Sequence, residues 1–351
     1  MDNLTHTLVG LTLGATPLRR AGRGATAALV IASSLPDVEV LAVLTNGRLA
    51  YLESHRGATH GPIGVVAVAL AAAAVVRLWP WRRDARLAAP RYLPLAGLAL
   101  AAVLCHVMLD FATSYGTRVL SPFTEAWFGV DWMPIVEPYL LALLAAGLAA
   151  GRLRPVSRGR IAAATLALAV LLLAGRGVLH EIAVGRAVAH QAPAASCAGG
   201  CPSTDRRPSP LFHYLWPTLQ PELPAALPSA WSPFRWRIVR AVPGGYELSE
   251  LDLLLGATRA SPVFHPRTAD RWVELASRAP TPRVFVAFMR FPAVFVSRRP
   301  NGDVMVRWND IRFAPPGRSS APDGSNPASH FGAWARLAPD GRLVAHGLGS
   351  G

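Results

Sequence analysis

The first 180 residues alternate apolar segments with short arginine-rich loops, and this alternation restricts the possible folds more than any other feature. Six apolar segments follow one another, at residues 4–18, 24–44, 61–79, 92–110, 134–150 and 161–179. The last four have the length and apolarity of bilayer-spanning helices. The first is short for a span. The second is interrupted at Pro36, where a helix is expected to end. With 52% hydrophobic and 16% charged residues, the chain is too apolar for an ordinary soluble protein.

The arginines between these segments predict which side of the membrane each loop faces. The chain contains no lysine, and its arginines cluster at residues 19–23, 77–91 and 152–160. By the positive-inside rule these loops face the cytoplasm. The N-terminus, residues 36–60, residues 111–133 and the chain after about residue 180 then face the opposite side. We expect the basic residues to contact lipid headgroups rather than nucleic acid, because no aromatic residues alternate with them.

Histidines and carboxylates collect on the predicted outer face, at the ends of apolar segments or in outer loops. They are His6, Asp37, Glu39, His55, His60, His106, Asp110, Asp131 and Glu137. Ionisable groups at a membrane boundary are costly unless they are paired or bind metal, and they usually mark function. Imidazole nitrogens and carboxylate oxygens are ligands for zinc, manganese and iron. The pattern therefore predicts a metal centre of one or two ions near the lipid–water boundary.

Two histidine motifs are central to this prediction. His106 and Asp110 are four residues apart on a helical segment, so both side chains project from one face. They could bind one ion, or form a hydrogen bond that caps the helix end. His55 and His60 are five residues apart around Gly57, which permits a turn that folds both rings inward. A surface loop with incidental histidines is the alternative.

The other candidates also allow two interpretations each. Asp37 could bind metal or cap the next helix, and Glu39 could share its role. Glu137 could be a ligand, a base that activates a metal-bound water, or a carboxylate that stabilises a helix N-terminus. Arg56 has a fork of donors suited to an anionic headgroup. His6 could be a further ligand or an interfacial histidine without a function.

The second half of the chain is different in character. Residues 181–233 are rich in proline and predict an extended connector, in which Cys197 and Cys201 could form a disulfide or half of a zinc site. Residues 234–351 predict a small antiparallel β domain. Its expected strands lie at 234–239, 284–288 and 304–308, with hairpin turns at 299–303 and 339–342, a helix at 249–255 and a flexible loop at 314–327.

The motifs together resemble those of the YdjM-type inner-membrane proteins, a family described as metal-dependent hydrolases. The resemblance rests on residues 1–7, 35–39, 55–60 and 131–138, and on His106 with Asp110. The family is distantly similar to zinc-dependent phospholipase C. That similarity implies zinc ligands at Asp37, at His55 or His60, and at His106 with Asp110. The chain departs from the family pattern at Gly61, where serine is usual, and at Glu39 and Glu137, where aspartate is common.

We therefore expect a mostly α protein, a polytopic membrane helical bundle with a small C-terminal β-rich extracytoplasmic domain. The expected domains are residues 1–180, 181–233 and 234–351, and the expected location is the bacterial inner membrane. The expected metal ligands, for one or two divalent ions with zinc the first choice, are His6, Asp37, His55, His60, His106 and Asp110. Glu137 and Arg56 are the expected catalytic residues.

The expected function is hydrolysis of a phosphoester or ester at the outer membrane surface through a metal-activated water. The expected partner is a membrane lipid or lipid-linked substrate, not nucleic acid. The alternative is a non-enzymatic membrane organiser with a structural His/Asp metal site and a partner-binding β domain.

Overall fold

The computed structural model describes residues 1–78, 90–189, 224–258, 263–266, 269–314 and 331–349. The chain divides into two compact units, Met1–Leu41 with Ser54–Leu179, and Ala42–Glu53 with His180–Gly351. Cys197 and Cys201, most of the predicted connector and nearly all of the predicted flexible loop lie outside the described residues. The division into three domains stays a prediction.

The described part of the first half is helical. Its helices are α1 (Asn3–Ala15), α2 (Ala25–Ser34), α3 (Ala42–Ser54), α4 (Pro62–Leu78), α5 (Tyr92–Phe111), α6 (Pro138–Leu153) and α7 (Arg158–Ala189). The carboxylate of Asp2 caps α1 by accepting the Thr5 N–H at 3.0 Å. α2 ends at Ser34, as Pro36 predicts, because proline has no N–H to continue the hydrogen-bond ladder. A 3₁₀ helix, Leu35–Leu41, follows.

Small side chains fill the core between the helices of the first unit. α2, α4 and α5 meet through residues such as Ala32, Ala72, Ala99 and Ala102, none of which exposes any surface. Alanine at these positions lets helix backbones approach closely, as in membrane helix bundles.

Large apolar side chains cover much of the outer surface of these helices. Leu93 is 81% exposed, and Val170 and Leu171 are each 65% exposed. Within the described residues, two helical stretches are long and apolar enough to cross a membrane, Tyr92–Phe111 and Pro155–Ala189. α4 and α6 are apolar but shorter, at 17 and 16 residues. Of the four strong predicted spans, two thus reach spanning length, and the polytopic bundle stays a prediction.

The second unit carries two antiparallel sheets, so the prediction of a C-terminal β region is confirmed. The first contains β1 (Ala225–Pro228), β2 (Arg235–Val242), β3 (Gly245–Asp252) and β4 (Ala257–Thr258) in that order, and β5 (Val263–Pro266) also pairs with β3. Helices α8 (Arg271–Ser277) and α9 (Pro280–Phe288) precede the second sheet, whose order is β6 (Pro292–Arg298), β7 (Val304–Asp310), β8 (Gly332–Leu337) and β9 (Leu343–Leu348). Apolar residues of both sheets, among them Val239, Leu248 and Phe295, form one core with Ile311, which follows β7.

Both predicted hairpins are confirmed. β6 and β7 pair across the Asn-Gly turn, where Gly302 has a φ of +86°, a conformation that favours glycine. β8 and β9 pair across the turn at residues 339–342. The predicted strands at 234–239 and 304–308 also correspond to β2 and β7.

Two predictions for this region are wrong. Residues 284–288 form the end of α9 rather than a strand, because Pro280 at its first position favours a helix start and Phe285 and Phe288 bury one helical face. The helix predicted at 249–255 is instead the end of β3 and a turn. Pairing with β2 fixes that strand, and the Asp252 carboxylate then accepts the Leu254 N–H at 3.0 Å, which begins the turn.

Candidate metal centre

Four buried side chains from three separate parts of the chain converge in the first unit. They are Asp37, His60, His106 and Asp110, and one ligand atom from each lies within 4.8 Å of the others. Asp37 comes from the 3₁₀ helix after α2, His60 from the loop before α4, and the last two from α5. The group is at most 5% exposed at any of its members. It could hold a metal ion.

The distances within the group show that the ligand atoms face one another. His106 and Asp110 lie one turn apart, with His106 Nε2 3.4 Å from Asp110 Oδ2. His60 Nε2 lies 3.1 Å from the same oxygen and 3.2 Å from His106 Nε2. Asp37 Oδ1 lies 3.8 Å from His60 Nε2 and 3.7 Å from His106 Nε2.

Two features of the group fit a cation. His106 Nδ1 lies 2.8 Å from the carbonyl oxygen of Ser33. A carbonyl can only accept, so Nδ1 carries the hydrogen and Nε2 presents a lone pair to the group. Asp37 Oδ1 is buried and has no hydrogen-bond partner. Burial of a hydrogen-bond acceptor that has no donor costs free energy. A bound cation would interact favourably with both of these acceptors, His106 Nε2 and Asp37 Oδ1.

His6 lies against this group but is not one of its four members. Its Nε2 is 3.3 Å from Asp110 Oδ1, and its ring stacks on that of His106 with 3.7 Å between centroids. Its Nδ1 is buried without a hydrogen-bond partner. The structure thus places His6 directly beside the four-residue group. Its role stays a prediction.

Arg56 is buried, and its guanidinium contacts groups inside the protein. Its guanidinium contacts Asp110 Oδ1 at 2.9 Å and donates to the carbonyl oxygen of Gly116 at 2.9 Å, and the residue is 2% exposed. The Met1 amino group also contacts Asp110. These contacts hold the carboxylate in place and balance its charge. Binding of an anionic headgroup by Arg56 stays a prediction.

The structure separates the two histidines of the 55–60 loop. His60 joins the four-residue group, whereas His55 Nδ1 faces Glu39 Oε2 at 3.6 Å and its ring meets Tyr115 edge-on. Burial lowers the pKa of His55, although the Glu39 carboxylate opposes this shift. In this arrangement His55 belongs to the surroundings of Glu39. Metal binding by His55 stays a prediction.

Comparison with known families identifies the part of the chain that holds this group. A family model described as "YdjM inner membrane protein" matches residues 1–183, which include every residue of the centre. The chain belongs to this family. An uncharacterized protein of Bacillus subtilis (strain 168), YfhP, is 28% identical over 148 residues, which cover 40% of this chain and 43% of that protein. No solved structure matches.

The YdjM match also includes Glu137, which lies at the start of α6 and pairs with Arg176 of α7. Both are buried, at 0% and 1% exposure. Arg176 was not among the residues selected from the sequence. The sequence feature that could have identified Arg176 is its position inside an apolar segment, because charged residues there are rare and usually paired. A catalytic role for Glu137 stays a prediction.

Gly61, where the sequence departs from the family's usual serine, has a structural explanation. A Cβ atom at this position would lie 1.7 Å from the carbonyl oxygen of Ser121. The loop that carries His60 and the chain around Ser121 therefore approach each other more closely than a side chain at position 61 would allow. The positive φ of the turn, +51°, falls at Arg56, but the turn needs Gly57 as expected, because a Cβ atom there would lie 2.8 Å from the Ser54 carbonyl oxygen.

Proposed function

We propose that this inner membrane protein is a metal-dependent hydrolase that acts on a phosphoester or another ester at the membrane surface. The observation that carries the proposal is the convergence of two imidazoles and two carboxylates on one buried point. Such a set, drawn from three parts of the chain, matches the nitrogen and oxygen ligands of zinc. A bound divalent ion would supply an electrophile and would lower the pKa of a coordinated water to about 7.

The side chains around the centre have distinct proposed tasks. Asp37, His60, His106 and Asp110 hold the ion, and His6 lies close enough to join them. Arg56 orients Asp110 through its contact at 2.9 Å. The Ser33 carbonyl orients His106 in the same way, since it accepts from the ring nitrogen that does not face the centre.

A membrane lipid or lipid-linked molecule is the proposed substrate. Large apolar side chains on the segments that carry the ligands are exposed, with Val38 at 43% and Leu41 at 54% on the 3₁₀ helix of Asp37. Phe123, two residues from the Ser121 carbonyl that contacts Gly61, is 74% exposed. Such a surface suits contact with acyl chains. The arginine-rich loops support placement of the centre and the β region on the outer side of the membrane.

The test of the metal centre is the double variant His106→Ala with Asp110→Ala, purified in detergent. We expect it to insert into the membrane but to lose the bound metal that elemental analysis finds in the wild type. Glu125→Gln is the control, because Glu125 is an exposed partner of Arg118 outside the centre and its loss should leave metal content unchanged. Equal metal content in the double variant and the wild type would refute the assignment.

A structural metal site is the second candidate, and one observation favours it. Four protein ligands, all at most 5% exposed, could complete a tetrahedral zinc site and leave no position for water. The protein would then be a membrane organiser whose β region binds a partner. A screen of the metal-loaded protein with lipid-like phosphoesters separates the two. Turnover that disappears in the double variant supports the hydrolase, and one metal equivalent without turnover supports the organiser.

A further inference from the structure

We infer that Glu39 and Thr59 are positioning residues of the metal centre, and that the Glu39 carboxylate, acting through the Thr59 hydroxyl, keeps the ring hydrogen of His60 on Nδ1 so that Nε2 presents a lone pair to the ion. The inference rests on the metal centre of the proposed function. Neither residue belongs to the four-residue ligand group. They act one step away from it.

The hydrogen bonds around Thr59 determine the state of the His60 ring. Thr59 Oγ1 contacts Glu39 Oε1 and lies 2.9 Å from His60 Nδ1. A hydroxyl has one hydrogen, and an ionised carboxylate can only accept. The Thr59 hydroxyl therefore donates to Glu39 and accepts from His60 Nδ1–H. With the hydrogen on Nδ1, His60 Nε2 is left with a lone pair.

The consequence is a centre composed of acceptors. The nitrogen atoms His60 Nε2 and His106 Nε2, each with a lone pair, lie 3.2 Å apart, beside the carboxylates of Asp37 and Asp110. Four acceptors without a donor among them favour a cation. Without the Glu39 carboxylate, the Thr59 hydroxyl could instead donate to His60 Nδ1. The ring hydrogen would then sit on Nε2 and could donate to Asp110 Oδ2, 3.1 Å away. That bond would occupy the place of the ion.

Other contacts hold the Glu39 carboxylate in position. Its Oε2 accepts the backbone N–H of Arg56 at 2.7 Å and faces His55 Nδ1 at 3.6 Å. The left-handed backbone at Arg56 belongs to the same turn. The 55–60 loop thus folds around one carboxylate, with His55 on one side and Thr59 on the other. The two histidines of the loop therefore have different neighbours. His60 joins the ligand group, and His55 faces the Glu39 carboxylate.

The experiment measures the affinity of the full-length protein for Zn²⁺ by competition with a chromogenic chelator in detergent. Thr59→Val keeps the shape of the side chain and removes the hydroxyl. Glu39→Met keeps its length and removes the carboxylate. We expect each to weaken zinc binding roughly 10- to 100-fold, the range typical for groups that orient a metal ligand. Thr59→Ser restores the hydroxyl and should bind zinc about as tightly as the wild type, as should the control Glu125→Gln.

The outcomes separate this inference from the proposed function. A wild type that binds no zinc overturns the metal centre itself. Wild-type affinity in Thr59→Val overturns the positioning role while the metal centre stands. Equal losses in Thr59→Ser and Thr59→Val also overturn it, because the hydroxyl would then not be the group that matters. Full rescue by Thr59→Ser, with losses in both Thr59→Val and Glu39→Met, supports it.

Discussion

Arg56 and Asp110 form a buried ion pair at the edge of the metal centre, with 2.9 Å between the guanidinium and the carboxylate. Removal of Arg56 takes away part of the positive charge that compensates the buried Asp110 carboxylate, which the Met1 amino group also contacts, in a medium that solvates charge poorly. We expect Arg56→Leu to lower the free energy of unfolding of the metal-free protein by about 3–5 kcal/mol. Thermal melting in detergent measures the change.

Arg278→Gln is the matched control for this prediction. Arg278 pairs with Glu274 at 2.9 Å, but both side chains are about 70% exposed, at 70% and 72%. Solvent screens such a pair, so its loss should cost less than about 1 kcal/mol. Similar melting shifts in Arg56→Leu and Arg278→Gln would contradict the role assigned to Arg56.

The sequence predicts some of the residues of the centre better than others. The spacing of His106 and Asp110 on one helical face is sufficient to place them together. Sequence spacing does not distinguish His55 from His60, because they lie in a loop and their directions depend on the backbone of Arg56 and on the distant Glu39. The pairing of Arg56 with Asp110 joins residues 54 positions apart in the chain, so it depends on the tertiary fold.

At the scale of elements, one buried ion pair connects the start of α6 with the middle of α7. Glu137 and Arg176 are both almost fully buried. A buried pair contributes little net stability, but each member is costly when alone. We expect Arg176→Leu or Glu137→Leu to destabilise the protein by about 3–5 kcal/mol, and the double variant to recover most of that loss.

The melting temperatures of the four proteins test this coupling. A double variant as unstable as the two single variants combined would contradict it, because independent residues have additive effects. The same double variant tests the catalytic role predicted for Glu137. Full turnover in a stable double variant would exclude that role.

Elements were predicted correctly where a local signal was strong. The Asn-Gly turn before β7 and the proline-terminated α2 are examples, since turn and helix-end preferences act over a few residues. The Val and Phe residues at 284–288 favour a strand, but two prolines at the start of α9 and one buried helical face make this segment a helix. For residues 249–252, pairing with β2 outweighed the local pattern.

At the scale of the whole molecule, the positions of the arginine-rich loops predict which residues face the cytoplasm and which face the outer side of the membrane. Val156, 96% exposed in the turn before α7, is expected in the cytoplasm, and Trp231, 83% exposed before β2, on the outer side. Single cysteines at these positions, with the native cysteines replaced by serine, report the topology. A membrane-impermeant maleimide should label Trp231→Cys in intact cells and Val156→Cys only after lysis.

Labelling of Val156→Cys in intact cells would contradict the predicted topology, and with it the outer location of the metal centre. Detergent-lysed cells provide the control, because both cysteines should react there. Membership of the inner membrane family rests on residues 1–183. The orientation of the chain therefore depends on this measurement and not on the family match.

The end of α2 positions two groups around His106. Because Pro36 stops the helix, one short stretch delivers both the Ser33 carbonyl that orients His106 and the carboxylate of Asp37. A change that let α2 continue past Ser34 would therefore move the Ser33 carbonyl and the Asp37 carboxylate together, away from the positions that bring them to His106.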